Sequence, residues 1–182
     1  MARIDPADLD QLPEPHKSAY AEAMTGRTGP RIHIHSTVGH SPGVLVRFVE
    51  MANELRNGTL LEPRLRELVI LTVSQLKGAE YEFGKHWNLA LSVGVPRAQL
   101  EAIEATADLS SSTFDEIERA VIQLARESVQ NVKVSDGTWA SAARHFDDRV
   151  LVEIIMHIGM YSMTAHFTEA VEMDIEPWFE RR

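Results

Sequence analysis

The chain contains no cysteine. It therefore has no thiolate nucleophile, resolving thiol or disulfide, which excludes thiol peroxidase and disulfide-exchange chemistry. It also lacks a Gly-rich phosphate loop and a Gly-x-Ser-x-Gly elbow, so nucleotide binding and serine-hydrolase chemistry have no support. Basic residues are few, 18 Lys and Arg against 27 Asp and Glu, and they form no long run. With a formal net charge of −9, nonspecific attraction to nucleic acid or to an anionic membrane is not expected. No run of consecutive apolar residues approaches the ~18 of a membrane span. The start, Met1-Ala2-Arg3-Ile4-Asp5-Pro6, lacks the apolar middle of a signal peptide. A cytoplasmic location is the default expectation.

Strand-like alternation is nearly absent, with residues 31–34 the one brief candidate. What the chain does have is helical periodicity, and all-α is the expected fold class. Pro6, Pro13, Pro15 and Pro30 punctuate the beginning, with a short helix over Tyr20 to Met24 before Gly26, Gly29 and Pro30 break it. Residues 1–30 read as an arm packed over a single domain of residues 31–182. Ser41-Pro42 is an N-cap and first helical position, and Val44, Leu45, Phe48, Val49, Ala52 and Leu55 follow at helical spacing up to Asn57-Gly58. Pro63 opens a second helix with a stripe of Leu65, Leu68, Val69, Thr72, Val73 and Leu76, closed by Gly78. A third carries Tyr81, Phe83, Trp87, Leu89, Ala90 and Val93 to Gly94, and Val95-Pro96 starts a fourth. After a polar break at Ser110-Ser111-Ser112, Thr113 and Glu116 have capping-box spacing. Ile117, Val121, Leu124 and Ala125 then make a fifth helix. Ser135 caps a short helix with Trp139 and Ala143. A long last helix starts near Asp147 and runs toward Phe167.

Glu82 and His86 stand four apart in the third helix and so share a face. Glu67, on the preceding helix, meets them if the Gly78 turn makes an antiparallel hairpin. Two carboxylates and an imidazole in an apolar pocket would disfavour one carboxylate charge and favour protonated histidine, the basis of acid–base catalysis near neutral pH. Spacing leaves open the alternative of a surface Glu-His pair with Glu67 bridged to Arg64 or Arg66. His33, His35 and His40 form a second cluster. His-x-His on an extended segment would place both rings on one side, as in metal sites, while a polar loop lining a pocket mouth is the other reading. Glu153 and His157 repeat the four-residue spacing, followed by Tyr161 and His166, but helical di-iron sites use Glu-x-x-His, so the match fails by one residue. Trp87, Trp139 and Trp178 suit packing or subunit contacts.

Leu65-Arg66-Glu67-Leu68-Val69-Ile70-Leu71, followed by Tyr81-Glu82-Phe83-Gly84-Lys85-His86 and then Gly94-Val95-Pro96, resembles the carboxymuconolactone decarboxylase family, whose superfamily includes the AhpD-like alkylhydroperoxidases. The resemblance is best over residues 40–107 and implies an AhpD-like helical bundle that assembles into a homo-oligomer. In the peroxidase branch the motif is Cys-x-x-Cys-x-x-x-His with an upstream relay glutamate. Aligned on His86, the cysteine positions fall on Ala79 and Glu82, and the relay glutamate on Glu67. The resemblance therefore cannot carry peroxidase activity here. The cysteine-independent decarboxylase branch implies a lyase or isomerase acting on a small oxygenated acid, with Glu67, Glu82 and His86 catalytic and no cofactor. Tyr81, Lys85, His33, His35, His40 and Tyr161 are the candidate substrate contacts, and the expected partner is a small molecule. A noncatalytic helical oligomer on the same scaffold, and a metal-dependent enzyme using the histidine cluster, stay open beside it.

Overall fold

A computed structural model describes residues 2–26, 30–106 and 113–181. Gly29 and the Ser110-Ser111-Ser112 break lie outside them. Among the described residues there are nine α-helices and no strand: α1 (His16–Ala23), α2 (His33–Val38), α3 (Pro42–Asn57), α4 (Pro63–Lys77), α5 (Glu80–Ser92), α6 (Arg97–Glu104), α7 (Glu116–Asn131), α8 (Asp136–Ala143) and α9 (Asp148–Ala170). The all-α expectation holds. The brief strand candidate is corrected: its last residues, His33 and Ile34, open α2.

The chain divides into two compact units. The first holds Met1–Gly58 with Ala170–Phe179. In it α1 packs on α3, and Leu9 and Leu12, from the segment before α1, join Tyr20, Leu45, Val46 and Val49 in one apolar cluster. Ser41 occupies the N-cap position of α3 with Pro42 following, but its side chain makes no capping bond. The preset proline φ and the absence of a needed N–H are enough to start the helix there.

The second unit holds Thr59–Glu169 with Glu180–Arg182. Its centre is α4, against which α5, α6 and α7 pack. The sequence suggested an apolar stripe on this helix, yet every residue from Leu65 to Ser74 is buried. A helix enclosed on all sides is apolar all round unless its polar groups find partners, and α4 carries Arg66 and Glu67 within that stretch. Thr72 and Ser74 meet the requirement locally, donating to the carbonyls of Leu68 and Ile70. The end of α4 is a left-handed turn. Gly78 has φ 65°, its N–H donates to the Gln75 carbonyl and that of Ala79 to the Ser74 carbonyl. This Schellman pattern sends α5 back along α4.

One boundary is corrected. The capping box of α7 is not Thr113 with Glu116 but Asp115 with Glu118: the Glu118 N–H donates to the Asp115 side chain, and the Asp115 N–H donates to Glu118 Oε2. Both pairs have the right spacing, and tertiary contacts choose between them. Glu118 is 1% exposed, ion-paired to Arg64, and accepts from Gln99 Nε2 at 2.8 Å. Glu116 stays on the surface.

Among the described residues α9 is the one helix long and apolar enough to suit a bilayer, with mean hydropathy 1.3 over its most apolar window. A reading by uninterrupted apolar runs passes over it because His157, Ser162 and Thr164 break the run. Its Leu151, Ile154 and Ile158 pack into the core of the second unit.

Glu118→Ala should cost about 3 kcal/mol in urea unfolding, as expected when one member of a buried ion pair is removed, whereas Glu116→Ala should stay within about 0.5 kcal/mol of wild type. Equal losses would restore the Thr113–Glu116 box. At the α7–α8 junction the Thr138 hydroxyl and the Ser135 backbone N–H hold the Glu127 carboxyl well below its ordinary 4.5, at about 2. A lowered carboxyl pKa contributes stability that is complete above 4.5 and lost as pH falls toward 2. Glu127→Gln should therefore lower Tm at neutral pH, and its deficit should close across that window in thermal unfolding.

Candidate active site

The hairpin of α4 and α5 builds the site. Glu67 lies about three turns before Gly78 and His86 about two turns after it, so the antiparallel return brings them to a similar height. On α5, the Phe83 and Trp87 rings meet at a tilt of 55° with centroids 5.8 Å apart, and the Arg181 guanidinium lies 3.7 Å from the Trp87 ring centre. Trp87 is thus a core residue. Its anchoring fixes the rotation of α5, and Glu82 and His86 occupy a neighbouring face.

Glu67 Oε2 lies 2.6 Å from His86 Nδ1. Its other oxygen, Oε1, accepts from Arg66 Nε at 3.2 Å. On the far side of the imidazole, Nε2 is 3.6 Å from Glu82 Oε2. The side chains of Glu67, His86 and Glu82 are 1%, 5% and 7% exposed. Both alternatives for Glu67 are therefore present at once: it pairs with Arg66 and with His86, and neither pairing is on the surface.

The two contacts of His86 differ in kind. At 2.6 Å the link to Glu67 is a charge-assisted hydrogen bond, whereas 3.6 Å is ion-pair distance and too long for one. A carboxylate can only accept, so with Glu67 ionised Nδ1 carries the proton facing it. The opposite edge of the ring, Nε2, then faces Glu82 Oε2 across 3.6 Å, an arrangement in which one proton can sit on either atom.

The Tyr161 ring, from α9, meets the His86 ring edge-on with centroids 4.8 Å apart and is half-buried. Tyr81 is buried, with Lys85 Nζ 5.6 Å from its ring centre. Glu153 and His157 do not form a side-chain pair. Glu153 accepts from the N–H groups of Leu60 and Leu61 and from Arg149, while His157 Nδ1 lies 2.7 Å from the Glu153 carbonyl.

His33, His35 and His40 belong to the first unit, and the extended His-x-His geometry is corrected. His33 and His35 lie in α2, where residues two apart point to different sides. His33 Nδ1 meets the Asp174 carbonyl at 2.7 Å, His35 Nδ1 the Tyr20 hydroxyl at 3.2 Å, and His40 Nε2 the Asp5 carbonyl at 2.8 Å. Among the described residues no group of three or more His, Asp or Glu is placed to hold a metal ion. Apart from its place in the motif of residues 65–71, Arg66 entered the sequence reading as a surface partner of Glu67. The sign of its burial was an Arg-Glu pair running directly into the apolar Leu68-Val69-Ile70-Leu71.

Residues 42–127 match the family model of the carboxymuconolactone decarboxylase family. The matched stretch, like the rest of the chain, contains no cysteine. No curated protein sequence matches the chain. Among solved structures, an uncharacterized peroxidase-related protein from Silicibacter sp. TM1040 is similar with a TM-score of 0.80 and 18% identity, covering 97% of this chain and 92% of the other. An uncharacterized peroxidase-related protein from Ralstonia eutropha JMP134, described as an alkylhydroperoxidase AhpD core, gives 0.82 at 14% identity, covering 97% and 93%. The debrominase Bmp8, solved as a cysteine-to-alanine variant in complex with 2,3,4-tribromopyrrole, gives 0.74 at 18% identity, covering 96% and 91%. These likenesses establish an AhpD-like fold.

Because the Tyr161 ring lies against His86, Tyr161→Ala should expose the imidazole. Peptide mapping after diethyl pyrocarbonate treatment should show His86 modified slowly in the wild type and at least several-fold faster in the variant. Equal rates would mean that Tyr161 does not shield the ring.

Proposed function

We propose that the chain is a lyase or isomerase that moves a proton on a small oxygenated acid, a lactone or keto acid, with Glu82 as the acid–base group, His86 as its proton partner and Glu67 as the anchor of the imidazole. The single observation that carries this reading is the buried chain from Glu67 Oε2 through both nitrogens of His86 to Glu82 Oε2. Burial strengthens each electrostatic contact and keeps bulk water from levelling the acid. The His86–Glu82 separation of 3.6 Å must close by about 0.5 Å for direct transfer, and such tightening on substrate binding is common in acid–base sites.

In a decarboxylation the bond from carbon to carboxylate breaks, carbon dioxide leaves, and its electron pair passes into the adjoining carbonyl as an enolate. The proton shared by Glu82 and His86 is then delivered to the enolate carbon, and a proton from solvent restores the pair. In an isomerisation the same pair removes a proton from one carbon and returns it to another. Neither course needs the thiols that the two superfamily positions, Ala79 and Glu82, lack. Half-buried Tyr161 supplies an apolar wall beside His86, and Tyr81 with Lys85 stands on the same helix as Glu82 and His86.

The test is proton exchange in deuterium oxide, followed by NMR across a panel of small lactone and keto acids. Wild-type protein should label the carbon next to the carbonyl, and Glu82→Gln and His86→Asn should each lower the rate by about 100-fold or more. Labelling no faster than in buffer for every compound, or labelling that survives both substitutions, would overturn the reading.

A further inference from the structure

The proton chain begins one residue before Glu67. Arg66 Nε donates to Glu67 Oε1 at 3.2 Å, and the Arg66 side chain is 10% exposed. Adjacent residues on a helix point about 100° apart, so a side-chain bond between them does not follow from helical geometry. The bond is made on α4, where every residue from Leu65 to Ser74 is buried.

A guanidinium keeps its charge under all conditions in which a protein folds. Arg66 is thus a fixed positive charge against one oxygen of Glu67, while the other oxygen faces His86. The charge favours the ionised form of Glu67. An ionised Glu67 can only accept, so the imidazole must turn a protonated Nδ1 toward it. With Glu67 neutral, its hydroxyl could instead donate to an unprotonated Nδ1, and the ring proton would move to Nε2, the edge that faces Glu82. The acid–base pair would then hold its proton on the wrong atom.

We propose that Arg66 is a positioning residue that keeps Glu67 ionised and thereby holds His86 in the Nδ1–H form, leaving Nε2 to exchange a proton with Glu82. The proposal deepens the acid–base function and rests on that reading for its catalytic meaning. Its physical content concerns the resting protein. Besides Arg66, the titratable or charged groups placed against Glu67 and His86 include Glu82 from α5 and Tyr161, edge-on to the ring, from α9.

The experiment is a long-range proton–nitrogen correlation spectrum of the full chain with labelled histidine, the His86 signals being assigned by their loss in His86→Asn. Wild type should show the protonated-type resonance at Nδ1. Arg66→Gln should lose that signature in favour of protonated Nε2, and Arg66→Lys, which restores a positive charge, should recover it. The other seven histidines should keep their shifts in both variants, which separates the effect from a general loss of packing. An unchanged His86 spectrum in Arg66→Gln would overturn the proposal, as would a loss in Arg66→Lys equal to that in Arg66→Gln. If a turned-over substrate is in hand, Arg66→Gln should lower kcat with little change in KM. If the spectra respond as expected but no compound is turned over, the acid–base function fails while the positioning role of Arg66 stands.

Discussion

Two opposite charges, Arg66 and Glu67, occupy adjacent positions on a helix that is buried on every side, and the second unit is organised around the need to satisfy them. An unpaired carboxylate in such a place would cost several kcal/mol. Glu67 escapes that cost by spending one oxygen on Arg66 and the other on His86. Its second partner exists only because Gly78 turns the chain back on itself and Trp87 fixes the rotation of α5. Helix packing, the turn and the ion pair therefore stand or fall together. The imidazole is held by the same bond that keeps the carboxylate from being orphaned.

That coupling gives the site its character. In the AhpD-like motif the position of Glu82 belongs to a thiol, which reacts by attacking an electrophile. A carboxylate there is a weak nucleophile and a serviceable acid or base, and it faces an imidazole whose other nitrogen meets a second carboxylate. The two contacts are asymmetric, a made hydrogen bond on one side and an open 3.6 Å gap on the other. Similar carboxylates flank the ring, and geometry alone makes their contacts with it different.

Much of the fold was readable in advance because its punctuation is local. Pro42, Pro63 and Pro96 open helices, and Gly78 and Gly94 close them, through constraints of φ that act within a residue or two. The capping box of α7 shows where local reasoning stops. Thr113–Glu116 and Asp115–Glu118 satisfy the same spacing rule, and the second is used because Arg64 and Gln99, brought in by α4 and α6, await a buried carboxylate at position 118. The histidine cluster shows the same limit. His33 and His35 share a side only in an extended chain, and once α2 forms they diverge, each to a partner of its own.

The amino-acid sequence by itself determined that no thiol chemistry is open to this protein, that it is helical, and that Glu82 and His86 point the same way. Composition and a four-residue spacing within one helix suffice for those conclusions. Only the tertiary structure decided that Glu67 faces His86, that Arg66 lies buried behind it, and that Tyr161 covers the ring. A helix specifies the direction of its side chains relative to one another, but what stands opposite them depends on how a second helix is turned and seated. In this chain the turn at Gly78 and the packing of Phe83 and Trp87 make that decision.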